Sequence, residues 1–101
     1  MLPLSPDTLS RAGVLFAAGE LEAARTALEN DCANNLPFCE RMDMFGLERI
    51  RFAVLKLSDG NLEALRREIE QAKRDWRDTL VAAGFGHEVN AHSRWLPRRK
   101  P

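Results

Sequence analysis

Gly19-Glu20-Leu21-Glu22-Ala23-Ala24-Arg25 recurs as Gly60-Asn61-Leu62-Glu63-Ala64-Leu65-Arg66, with five of seven positions identical. The match resumes with Leu28-Glu29 against Ile69-Glu70, at the same offset of 60 − 19 = 41 residues. An offset of this size falls in the range where repeats mean stacked helical units. In both copies an apolar helical pattern breaks near the glycine and restarts out of phase: Phe16 to Leu21, and Leu57 to Leu62, are steps of five residues. A continuous helical stripe would step by three or four. The chain therefore reads as two helix–turn–helix hairpins, each turning at its glycine.

The flanking sequence extends this pattern. Ser5 is a good N-cap, with Pro6 at the first helical position, where its missing N–H costs nothing. Leu4 and Leu9 stand at the positions of a hydrophobic staple. Leu9, Ala12, Gly13 and Phe16 form the apolar face of helix one, which is expected to end at Gly19. Helix two runs from about Glu20 to Asn30 on Leu21, Ala24 and Leu28. Asn30 to Asn35 is a loop by composition. Helix three, from about Leu36 to Leu57, is apolar on several faces through Phe38, Met42, Phe45, Leu47, Ile50, Phe52, Val54 and Leu55, the mark of a buried central helix. Helix four is expected to run unbroken from Leu62 to Ala83 on Leu65, Ile69, Ala72, Trp76 and Leu80. Gly84 then stands where a left-handed residue closes a helix, and Phe85 where a Schellman motif folds its apolar contact back onto Leu80. A fifth short helix is expected from about Glu88 to Trp95, stopped by Pro97.

The resulting fold class is all-α: two antiparallel helical hairpins forming a four-helix domain, plus a short C-terminal helix. Residues 1–97 make one domain, and residues 98–101 a disordered basic tail. A chain of 101 residues buries enough surface for one core without staples. Scarce β-branched residues argue against sheet.

Gly19, Leu21, Ala24 and Leu28, echoed by Gly60, Leu62, Leu65 and Ile69, resemble the turn and second helix of a tetratricopeptide-type hairpin. The offset of 41 exceeds the about 34 residues of that family, and its early Trp and closing Pro have no counterpart. The resemblance implies a helical-hairpin interaction scaffold rather than membership.

Formal net charge is zero, with fifteen basic and fifteen acidic residues, which disfavours a general nucleic-acid binder. The charge is uneven. Residues 1–47 hold three basic and seven acidic side chains, leaving twelve and eight for residues 48–101. That asymmetry permits an electrostatic partner on the C-terminal half. The N-terminus has neither the basic nor the apolar region of a signal peptide. No apolar run approaches the about 20 residues of a membrane span. A cytoplasmic location, no membrane association and reduced cysteines are expected.

Cys32, Cys39, His87 and His92 are the soft metal ligands, spaced C-x6-C and H-x4-H. Structural zinc sites favour two to four residues between cysteines, so neither a metal nor another cofactor is expected. His87, Glu88 and His92 suit acid–base work near neutrality, but no nucleophile, phosphate loop or paired-carboxylate motif accompanies them. Trp76 reads as a core anchor. Trp95 reads as a clamp on the C-terminal segment, or else as part of an exposed patch.

The function expected from these features is a non-enzymatic protein–protein interaction module. Its candidate contacts are Phe38, Phe45, Phe52, Trp95, Arg94, Arg98 and Arg99, and its partner is a second copy of the chain or another protein. The dimer expectation rests on helix length. Helices one and two, at about 11 to 13 residues, span roughly 17–20 Å, and helices three and four, at about 22 to 24, roughly 33–36 Å. Half of the long hairpin would then lack a neighbour. Two alternatives stay open: a nucleic-acid-associated regulator using Arg94, Arg98, Arg99 and Lys100, and a small metal-dependent or acid–base enzyme around His87 and His92.

Overall fold

A computed structural model describes residues 2–33, 44–88 and 90–98. The described chain is all-helical and packs as a helical domain. Its elements are α1 (Pro6–Leu15), α2 (Ala18–Asp31), α3 (Met44–Ser58), α4 (Leu62–Arg74), α5 (Trp76–Ala82) and a single 3-10 turn, Ala91–Arg94. Ser5 caps α1 by accepting from the Thr8 amide, with Pro6 inside the first turn.

The first hairpin turns earlier than expected. Phe16 and Ala17, both extended, separate α1 from α2, and Gly19 lies inside the first turn of α2. Two consecutive extended residues suffice to reverse the chain, so this turn needs no positive φ. The second hairpin turns at Gly60, as expected. Asp59 and Gly60 both have positive φ, 50° and 83°, and Asn61 caps α4 through the Ala64 amide.

Helix four is not continuous. Asp75, at φ −153° and ψ 90°, ends α4 and begins α5, its carboxylate accepting from the Arg77 and Asp78 amides. An Asp at an N-cap satisfies donors that the new helix would otherwise leave open. α5 packs on both α3 and α4. The break cuts the rod whose length motivated a dimer into helices of 13 and 7 residues, and α3 itself spans 15 described residues. Helix three was expected to begin near Leu36; residues 34–43, with Phe38, Cys39 and Met42, lie outside the described residues.

α5 ends as its sequence predicts. Gly84 has φ +81°. The Phe85 amide donates to Leu80 O at 2.8 Å and the Gly84 amide to Val81 O at 3.0 Å, the two hydrogen bonds of a Schellman motif. Phe85 is buried. The expected fifth helix over Glu88–Trp95 is reduced to the 3-10 turn at Ala91–Arg94.

The core joins Ala12, Phe16, Ala24, Leu28, Leu47, Ile50, Phe52, Leu55, Leu65, Ile69, Leu80 and Phe85. α3 is its axis: Arg51 through Leu55 are all buried. Leu9, placed on the buried face by its spacing, is 37% exposed. No helix among the described residues is long and apolar enough to cross a membrane.

Candidate functional site

Three cations of α3 donate to main-chain carbonyls, and one of them is buried. Arg51 is 1% exposed. Its Nε donates to Cys32 O at 2.9 Å, Nη1 to Pro3 O at 3.1 Å, and Nη2 to Leu2 O at 2.7 Å and Leu28 O at 3.5 Å. Burial lowers its pKa, opposed by the carboxylates of Glu29 and Glu48. A guanidinium carries five donors and no acceptor, so one side chain ties the N-terminal residues to the end of α2. Arg49 donates to Phe85 O at 2.6 Å and Glu88 O at 3.3 Å. Lys56 donates to Ala83 O at 2.8 Å, at the C-terminus of α5 where a cation is favoured by the helix dipole. Arg49, Arg51 and Lys56 belong to the basic half of the chain, and each is engaged with the protein's own carbonyls.

Next to Arg51, α1 and α3 enclose a cleft of about 270 Å³ lined by Ser5, Thr8, Phe45, Glu48 and Arg51. Phe45, Glu48 and Arg51 fall three residues apart on α3 and so share a face. Glu48 accepts from the Ser5 hydroxyl and from the Thr8 hydroxyl at 3.3 Å. Ser5 thus caps α1 and fixes the Glu48 carboxylate at once. Phe45 stands at the cleft 42% exposed. The cleft offers an aromatic wall beside a positioned carboxylate, a pairing suited to an apolar side chain flanked by a hydrogen-bond donor.

Phe45 also borders an aromatic cluster. The His92 ring meets Phe45 at 5.0 Å, Phe52 at 5.2 Å and Phe85 at 6.4 Å between centroids, and Trp95 meets Phe52 at 6.2 Å and Phe85 at 6.3 Å. Edge-on contacts of this kind contribute beyond their buried area. Of the residues singled out by the sequence, the structure therefore brings together Phe45, Phe52, His92 and Trp95. Phe52 is 2% exposed and belongs to the core, which removes it from the candidate contact surface. Trp95 is half-buried and packs as a clamp.

The remaining candidates lie elsewhere. His87 is exposed and His92 is buried, so the pair occupies two different environments. The Cys32 thiol is pushed up to about 12 by burial, against the lowering influence of Arg51 and Lys73. It is held as a neutral thiol, the unreactive form. Among the described residues no group of three His, Cys, Asp or Glu side chains is placed to hold a metal ion. Arg94 donates to both Glu88 carboxylate oxygens, at 2.9 and 2.7 Å, an exposed pair that holds the Glu88 carboxyl below its ordinary range. Arg98 is exposed. Cys39, Phe38, Arg99 and Lys100 lie outside the described residues.

Sequence reasoning missed the Ser5–Thr8–Glu48 arrangement and the burial of Arg51. Arg51 did carry a signal: it falls four residues after Leu47 and three before Val54, in phase with the core. Its acceptors are main-chain carbonyls, which leave no trace in sequence. Comparison of this chain with family models, with curated proteins and with solved structures returns no match.

Proposed function

We propose that this chain is a non-enzymatic helical interaction module that engages a protein partner through the Phe45 cleft. The observation that carries the reading is the exposed Phe45 ring at the mouth of a cleft whose polar groups are already fixed. Aromatic residues beside a well-packed pocket are the usual energetic anchors of protein interfaces. The groups that could perform chemistry have structural duties instead: Glu48 organises the start of α1, Arg51 holds carbonyls, and Cys32 is a buried thiol.

A photoreactive phenylalanine analogue at position 45, irradiated in native extract, is expected to yield a discrete adduct. The same analogue at Arg66, on the exposed face of α4, serves as the control and is expected to yield none. Phe45→Asp should abolish capture and cost roughly 0.5–1.5 kcal/mol of stability through the lost edge-on contact with His92, with helicity retained. Equal labelling from the two positions, or none from position 45, would overturn the reading.

A further inference from the structure

Residues 91–98 add no α-helix to the domain beyond the 3-10 turn Ala91–Arg94. This segment is anchored by rings and by its own carbonyls. Trp95 sets its ring against Phe52 and Phe85, and His92 sets its ring against Phe45 and Phe52. Arg11 of α1 donates from Nε to Trp95 O at 3.0 Å and from Nη2 to Ser93 O at 3.4 Å. Its guanidinium lies 4.3 Å over the Phe52 ring. Arg98 lines a second cleft, of about 400 Å³, with residues at the end of α1 and the α3–α4 turn. Leu96, between these anchors, is 71% exposed.

Main-chain carbonyls read by a fixed cation and an aromatic side chain received by a socket are the means by which folded domains hold extended peptides. Nothing in these contacts requires that the peptide belong to the same molecule. The segment joins α5 through the left-handed Gly84 and through Gly86. It contributes a single 3-10 turn, the kind of element that opens locally at low cost.

We propose that the groove between α1 and α3 is an exchangeable peptide site, and that its second occupant is the 91–98 segment of another copy of this chain, so that two molecules join by exchanging Trp95. A second copy is the occupant whose fit is already on view, because every contact made within one chain is repeated between two. Exchange of an identical element is a low-cost route to a dimer. The inference rests on the interaction-module reading and shares Phe45 with it, because His92 packs on that ring; it is read from Trp95-dependent mixed dimers, which can fail or form whatever adduct position 45 yields.

The test mixes full-length Trp95→Ala chain with isotope-labelled wild type at roughly 100 µM, an order of magnitude below the millimolar effective concentration of a tethered segment, and weighs the complexes by native mass spectrometry. The variant offers a vacant socket and the wild type supplies the ring. Mixed dimers should outnumber both homodimers. A synthetic peptide of residues 87–98 should dissolve them, and the same peptide with Trp95→Ala should not. Homomers alone, with the helicity of the variant intact, would overturn the proposal. If the variant loses its helicity, amide exchange in the wild type decides. The Trp95 amide, bonded to His92 O at 3.1 Å, should exchange at least about 100-fold faster than that of Leu65 through local opening. Equal protection would mean that the segment leaves only on global unfolding, and exchange between copies would then fail.

Discussion

Glu29 and Glu70 hold the same place in two copies of one sequence pattern, and their surroundings are opposite. Glu29 is 8% exposed. Its Oε2 accepts from the Leu4 amide at 3.3 Å and from Arg25 at 3.4 Å, and its carbonyl takes the Leu2 amide at 3.1 Å. Glu70 is exposed and meets Lys73 at 3.1 Å. The glycines that open the two copies differ as sharply. Gly60 has φ +83°, and a Cβ there would lie 2.5 Å from Leu15 O, whereas a Cβ on Gly19 would meet nothing within 4 Å. A repeated pattern thus fixes that a helix forms and which stripe it buries. The neighbouring chain decides what each remaining residue does: the N-terminal residues cross the end of α2, and the end of α1 presses on the α3–α4 turn.

The largest difference between the copies should appear at the glycines. Gly60→Ala combines left-handed strain of roughly 1–2 kcal/mol with overpacking of roughly 1–3 kcal/mol against a backbone carbonyl that cannot rotate away. A loss of about 3 kcal/mol in denaturant unfolding is expected. A loss of only about 1 kcal/mol, the cost of left-handed strain without overlap, would show that the α3–α4 turn relaxes away from α1.

The glutamates come next. Glu29→Ala leaves the Leu4 amide without its acceptor and should cost about 1–3 kcal/mol, the range for an orphaned buried donor. Glu70→Ala removes an exposed ion pair and should cost at most about 0.5 kcal/mol. Thermal melts of the two variants side by side check this. Equal losses would mean that the N-terminal residues do not hold Glu29 in solution.

Between these extremes lies Gly84, which belongs to neither copy. At φ +81° it meets only Lys56 Nζ, at 3.7 Å, when given a Cβ. Gly84→Ala should therefore cost about 1 kcal/mol, from conformation alone. The gap between this value and that for Gly60 isolates the contribution of steric contact, since both glycines share the left-handed backbone. A neutral result would mean that α5 continues past Ala83.

What was legible in the sequence follows the same division. Local rules with one physical outcome read correctly: Ser5-Pro6 at the start of α1, Gly60 at the second turn, and Ala83-Gly84-Phe85 as a Schellman close. Residues with two available roles did not. Asp75 could extend an exposed helical face or cap a new helix, and the apolar spacing through Trp76 and Leu80 continued across it. Gly19 could turn the chain or sit in a helix. Arg51 and Glu29 read as surface by type, and only the path of residues 2–4 gives them buried partners. The Phe45 cleft depends on Ser5 and Glu48, 43 positions apart, with no local pattern to announce their meeting.

The smallest effect is also the most direct test of the copy comparison. Gly19 occupies the first turn of α2 with ordinary helical backbone, and its missing side chain faces open space. A glycine inside a helix sacrifices more backbone entropy than alanine, by roughly 0.5–1 kcal/mol. Near the helix start, where the backbone is less fully ordered, the lower end applies. Gly19→Ala should then stabilise the protein by about 0.5 kcal/mol, opposite in sign to Gly60→Ala. The double variant should behave additively, because no contact links the two positions through the new methyl groups. A destabilising Gly19→Ala would place the first turn at Gly19, as the sequence pattern alone suggests, and would make the two copies equivalent in solution.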